Sequence, residues 1–222
     1  MKNLQKTDQA MYKLFCNELK RQQETLSLIP SENIISSAIQ ETIGSPLSNK
    51  YAEGYPQKRY YQGMEFIDQI ENLAIDRAKK LFGVVYANVQ PYSGSIANLE
   101  TYLSIIDIND KIMGLNLASG GHLTHGSPAS FSSKIFKAIS YDVDKNGELD
   151  YQAIELLALK EKPKIIIAGT TAYAKIIDWK KFANIAKKID AYLVADISHL
   201  AGLIVAGAYP SPANFADIIT TT

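Results

Sequence analysis

All three histidines of this 222-residue chain fall in loops that follow apolar runs. His122 and His125 lie in "LASGGHLTHGS", after the run "KIMGLN". His199 follows "AYLVADIS", in which Asp196 ends the apolar stretch. A carboxylate there is costly to desolvate unless a cation meets it. Asp196 therefore either caps the next helix or partners a protonated ligand nitrogen. A pyridoxal phosphate site needs the second arrangement, because an aspartate that keeps the pyridine nitrogen protonated makes the ring an electron sink. His199, three residues on, can reach the same ring or its phenolate oxygen; alone it reads as a packed or solvated histidine. Ser93-Gly94-Ser95 opens a helical run. Free N–H groups, the positive helix end, a glycine that admits close approach and two hydroxyls would together hold a phosphate. The plain alternative is an N-cap with a turn glycine. His122, after two glycines, suits a flat ring laid against a cofactor, whereas His125 reads as an ordinary loop histidine.

The elements that must position these residues alternate. Residues 8–22 put Met11, Leu14, Phe15 and Leu19 on one helical face. Pro30 interrupts, and Ser31 is expected to cap a second helix carrying Ile34, Ile35, Ala38 and Ile39, ended by Gly44 and Pro46. The stretch "SNKYAEGYPQKRYYQG" has no period, and a Tyr-rich loop of that length is expected to lie on another surface. A helix over Ile67–Leu81 closes at Gly83. Short apolar strands are then predicted at "YANVQP", "KIMGLN", "KIFKAISY", "KIIIAGT", "AYLVADIS" and "ADIITTT". Helices are predicted at "SIANLETYLSII", "YQAIELLALK" and "WKKFANIAKKI". Strands that do not alternate in polarity, separated by helices, predict an α/β fold with a mainly parallel sheet covered on both faces. Ligands in such a sheet bind beyond the carboxyl ends of the strands, where the candidate residues fall.

Composition sets outer bounds. Apolar residues make up 46% and charged residues 21%, and the formal net charge is zero, so neither a nucleic-acid nor a membrane partner is expected. The N-terminus lacks the apolar core of a signal peptide. The single cysteine, Cys16, excludes a disulfide framework and fits a reducing cytoplasm. "DVDKNGELD" mimics the first half of a calcium loop, but Ala153 stands where a bidentate glutamate is needed. It reads as a turn between strand and helix, and no metal site is expected.

Six stretches, "LIPSEN", "NKYAEGYPQKRYYQG", "NVQPYSGSIAN", "GGHLTHGSP", "VADISHLAGL" and the terminal "TTT", together give a close resemblance to serine hydroxymethyltransferase. The resemblance covers essentially the whole chain. It implies a fold type I pyridoxal 5'-phosphate enzyme, whose residue roles would fall on this sequence as follows. Ser93, Gly94 and Ser95 would hold the cofactor phosphate, His122 would stack on the ring, Asp196 would bind its nitrogen, and Thr171 and His199 would contact the phenolate side. Ser31 would help hold the amino-acid substrate. Tyr51, Glu53 and Tyr61 would reach into a neighbouring subunit's site, with Glu53 moving protons, which implies a homodimer. Leu117, Gly120, Gly121 and Leu123 would line a site for tetrahydrofolate. The reaction implied converts serine plus tetrahydrofolate to glycine plus methylenetetrahydrofolate. The family usually carries His where Tyr92 stands, Ser for Thr171 and Ala for Ser198.

In the family the threonine run continues into Thr-His-Lys, whose lysine carries the cofactor covalently. The chain is therefore expected to be an N-terminal portion, with a helical arm and dimer-contact loop over 1–62, a partial cofactor-binding large domain over 63–222 and no C-terminal domain. On that expectation it is inactive alone. Two other readings are a non-catalytic remnant that pairs with or regulates a full-length copy, and another fold type I enzyme such as a threonine aldolase.

Overall fold

The computed structural model describes residues 2–29 and 31–222, so the expected break at Pro30 lies outside the described residues. The backbone divides into two compact units, Met1–Asn49 and Lys50–Thr222. The first contains helices α1 (Lys2–Thr7), α2 (Gln9–Glu24) and α3 (Ser37–Ile43), then a 3-10 turn over Pro46–Asn49. The Asp8 carboxylate caps α2 by accepting the Met11 N–H at 2.9 Å. The predicted stripe of α2 exists, but Met11, Leu14, Phe15 and Leu19 are all exposed. The second helix starts later than expected. Ser36, not Ser31, is its N-cap, accepting from the Ile39 N–H, and Ile34 and Ile35 precede it. Locally, Asn33 accepts the Ile34 N–H, a side-chain turn that competes with helix formation.

The second unit opens with a small hairpin, β1 (Gly54–Tyr55) and β2 (Lys58–Arg59), inside the Tyr-rich stretch. Helix α4 (Glu65–Phe82) follows and closes at Gly83 in the left-handed region, as predicted. The remaining elements are α5 (Gly94–Ile105), β3 (Lys111–Leu115), α6 (Phe131–Ile135), β4 (Lys137–Tyr141), α7 (Tyr151–Glu161), β5 (Ile165–Gly169), α8 (Trp179–Lys188), β6 (Tyr192–Asp196), α9 (Ala201–Val205) and β7 (Ile218–Thr220). The five strands β3–β7 form one sheet, all parallel, in the order β4-β3-β5-β6-β7.

Alternate side chains of the central strands enter two separate cores. Met113, Leu115, Ile166, Ala168, Leu193 and Ala195 pack with Ile154, Ala158, Trp179, Phe182 and Ile185 from α7 and α8. Ile112, Ile165, Ile167 and Val194 pack with Tyr102 of α5 and Phe136 on the opposite face. Burial on both faces explains why these strands read as continuous apolar runs.

Two strand predictions are corrected. "YANVQP" forms no strand. Val85 and Tyr86 are exposed, Asn88 accepts the Gln90 N–H in a local turn, and the Gln90 side chain is held by Glu71 and the Gly54 carbonyl. In "KIFKAISY", Lys134 and Ile135 belong to α6, which Ser130 caps, and the strand starts at Lys137. The calcium-like segment is a turn, as expected: one Asp144 oxygen accepts the N–H groups of Asn146 and Glu148, and Gly147 has a positive φ. Among the described residues, no helix is long and apolar enough to cross a membrane.

Candidate active site

Parallel register brings the strand ends into one row. Gly169 of β5 pairs with Asp196 of β6, which pairs with Thr220 of β7. Gly169 is required there, because a Cβ on it would lie 2.4 Å from the Asp196 carbonyl. Asp196 is buried, and its carboxylate accepts four hydrogen bonds. Oδ2 takes Asn98 Nδ2 and His125 Nε2, each at 2.9 Å. Oδ1 takes the Ser198 N–H at 3.1 Å and its hydroxyl at 2.7 Å. Burial pushes this carboxyl up, but the hydrogen bonds from His125, Asn98 and Ser198 outweigh it and hold the group well below the ordinary carboxylate range. Asp196 is an anion whose charge is met on both oxygens.

The histidine loop is bonded into the same network. Main-chain N–H groups can only donate, so the ring nitrogens they reach must accept. The His122 N–H reaches His125 Nδ1 at 3.2 Å, and the Thr124 N–H reaches His122 Nδ1 at 3.2 Å. Both rings therefore carry their proton on Nε2. Thr124 Oγ1 accepts from Asn98 Nδ2 and stands 2.8 Å from His122 Nδ1, to which it gives its own proton. Burial, with the neighbouring imidazoles behind it, lowers the His122 pKa and keeps that half-buried ring neutral. Donor atoms of His122, His125 and Asp196 lie within 4.8 Å of one another, a metal-like spacing. Three of the four ring nitrogens are already committed to hydrogen bonds, so the cluster is a positioning network.

Helix α5 supplies the third side. Ser93 is its N-cap and accepts the Ile96 N–H. A Cβ on Gly94 would stand 3.3 Å from the Thr222 side chain and 3.5 Å from Ser198 Oγ. The Ser-Gly-Ser turn, the Asp196 turn and the end of the strand-β7 segment thus converge, and Asn98, one turn further along α5, ties the helix to Asp196.

The other expected residues divide. The Thr171 hydroxyl lies 3.2 and 3.1 Å from the carbonyls of Gly120 and Gly121, and its N–H donates to Gly120 at 2.7 Å, so it pins the glycine loop to the end of β5. Gly120 has φ +98, and a Cβ there would meet the Tyr173 N at 3.0 Å. Gly121 is tighter still, with the Leu115 carbonyl 1.9 Å from a would-be Cβ. Leu117 and Leu123 are exposed at the rim of this loop; Leu117 also borders a cavity of about 290 Å³ with Leu115, Gly126 and Pro128. His199 is half-buried in the turn after β6.

Tyr51, Glu53 and Tyr61 are exposed, and the two tyrosine rings lie 6.0 Å apart. Their backbone is nonetheless fixed. The buried Arg59 guanidinium pairs with Asp68 at 2.8 Å and Glu71 at 2.6 Å, and donates to the carbonyls of Ala52 and Gly54. Ser31 belongs to the first unit, in an exposed turn.

Sequence reasoning missed two members of the network. Asn98 went unmarked, and His125 was read as an ordinary loop histidine although it is buried on Asp196. Each left a signal. Gly114 interrupts an apolar strand, and a Cβ there would lie 2.3 Å from the His125 carbonyl, so the glycine marks where that loop crosses. Asn98 is a polar residue on the buried side of α5, where Tyr102 is its buried neighbour. Concavity alone points elsewhere: a cavity of about 960 Å³ lies among Asp107, Lys164, Tyr192 and Asp217, by the amino ends of the strands. The convergence of charge, glycine and helix end is the better guide.

The start of α5, a strand-end carboxylate with four donors on it and a half-buried imidazole meet at the carboxyl ends of a parallel sheet flanked by helices, in an α/β fold. The family model described as serine hydroxymethyltransferase matches residues 4–222, and the chain belongs to that family. A serine hydroxymethyltransferase of Lactobacillus gasseri is 55% identical over 214 residues, covering 96% of this chain and 52% of that protein. One of Endomicrobium trichonymphae is 54% identical over 223 residues, covering 100% and 54%. One of Idiomarina loihiensis is 50% identical over 221 residues, covering 99% and 53%. The chain spans about half the length of the curated relatives it matches.

Proposed function

We propose that the protein to which these residues belong interconverts serine plus tetrahydrofolate with glycine plus 5,10-methylenetetrahydrofolate, using pyridoxal 5'-phosphate. The observation that carries this reading is the joining of Asp196, the His122 loop and the start of α5 through Asn98. The donor set fits the cofactor: α5 offers N–H groups and hydroxyls to a phosphate, and Asp196 offers a stable anion to a protonated ring nitrogen. When bound, pyridoxal phosphate supplies an electron sink for bonds broken at the amino acid's α-carbon.

The chain's own residues would then divide the work. Ser93, Gly94 and Ser95 anchor the phosphate. Asp196 holds a proton on the ring nitrogen, and His125 and Asn98 hold Asp196. His122, neutral and fixed by Thr124, presents a flat face to the ring. Thr171 keeps Gly120 and Gly121 in place, and His199 lies on the phenolate side. Leu117, Gly120, Gly121 and Leu123 form the folate side. Tyr51, Glu53 and Tyr61 act on the site of a second copy in a homodimer, where Glu53 transfers protons, and Ser31 helps seat the substrate. We assign the turnover to the whole protein rather than to residues 1–222 alone, and place it in the cytoplasm.

The test is serine turnover by the complete protein with and without tetrahydrofolate and pyridoxal phosphate. Glycine formation that needs both supports the reading. Folate-independent cleavage of threonine without serine turnover would favour an aldolase instead.

A further inference from the structure

A carboxylate offers about four lone-pair positions, and the chain's own donors take all four on Asp196. A protonated ring nitrogen must therefore displace one of them. Three are held in place. Asn98 Nδ2 is shared with buried Thr124, the His125 ring is fixed at both nitrogens, and the Ser198 N–H belongs to the turn that follows β6. The fourth, Ser198 Oγ, turns about a single bond on a half-buried residue, at the mouth of the Gly94 turn.

We propose that the Ser198 hydroxyl is the exchangeable donor of this site. It fills Asp196 Oδ1 until a protonated ring nitrogen takes that position, which makes Ser198 a positioning residue that tunes affinity for the protonated ring. The proposal rests on reading the site as one for pyridoxal phosphate. It implies that Ser198 opposes cofactor binding through the ring nitrogen alone, since an analogue without that nitrogen has no need of Oδ1.

The experiment is equilibrium dialysis of the complete protein and of its Ser198→Ala variant against two ligands. One is pyridoxal phosphate, and the other is 1-deazapyridoxal phosphate, in which carbon replaces the ring nitrogen. Losing one competing hydrogen bond should tighten pyridoxal phosphate binding about 3- to 10-fold in the variant. The deaza analogue should bind both proteins equally. Equal changes for the two ligands, no change, or weaker pyridoxal phosphate binding in the variant would overturn the proposal. A wild-type protein that binds neither ligand defeats the underlying reading, and this inference with it. Thermal unfolding of both proteins without ligand separates a merely structural loss, which would lower the melting temperature without any ligand selectivity.

Discussion

Asp196 and Glu53 are both carboxylates assigned to one proposed reaction, and their surroundings are opposite. Asp196 is buried at a strand end with four donors on it, and every donor comes from the same unit. Glu53 is exposed, as are Tyr51 and Tyr61 of the same loop, while its backbone is clamped by the buried Arg59 side chain. The contrast separates two kinds of functional residue. One is completed by its own sheet. The other is held rigid and presented, a form that suits action on a second surface.

The contrast can be broken most forcefully at the clamp. Arg59→Ala leaves Asp68 and Glu71 facing each other without their cation, and removing one member of such a buried group costs about 3 kcal/mol. Urea unfolding of the complete protein measures it; a loss below about 1 kcal/mol would show that the loop is not rigidly held.

Asn98→Ala comes next. It removes the donor to both Asp196 and Thr124 from a fully buried position, and a destabilisation of about 2 kcal/mol is expected. Nitrogen NMR of the labelled histidines adds a finer readout. The His125 Nε2 signal should move in the variant, because that nitrogen shares Asp196 Oδ2 with Asn98, and an unmoved signal would remove Asn98 from the network.

Acid sharpens the comparison on the Asp196 side. Its folded pKa is depressed, so it contributes stability that is present above about pH 4, the ordinary carboxylate value, and is lost as pH falls through the folded value. The difference in unfolding free energy between wild type and Asp196→Asn should therefore shrink as pH drops below about 4. A difference that stays constant from neutral pH to strong acid would contradict the ionised assignment.

The smallest effect is expected at Gly94→Ala. The new methyl would sit against Thr222 and Ser198, tight but not against backbone, so stability should change by about 1 kcal/mol or less while phosphate affinity drops. Isothermal titration with inorganic phosphate reads the second quantity.

The sheet was legible because its central strands are buried on both faces and carry no alternation, and helices α2, α4, α5, α7 and α8 were found within two residues. Two of the misplaced elements share a cause. At "YANVQP" and before α3, asparagine side chains bond nearby N–H groups, and such local turns do not show in apolar periodicity. The candidate site was legible where chemistry leaves a mark on residue type, as at Asp196, His122 and the Ser-Gly-Ser turn. It was illegible where a residue acts by spatial convergence. Asn98 and His125 lie 98 and 71 positions from the carboxylate they hold, and no spacing in the sequence announces either contact.

One measurement bears most directly on the whole account. Pyridoxal phosphate labelled with nitrogen-15 in its ring, bound to the complete protein, reports by NMR whether that nitrogen carries a proton. The expected result is a protonated ring nitrogen in wild type and an unprotonated one in Asp196→Asn. An unprotonated nitrogen in wild type, or a signal indifferent to the substitution, would mean that Asp196 is not the partner of a cofactor ring.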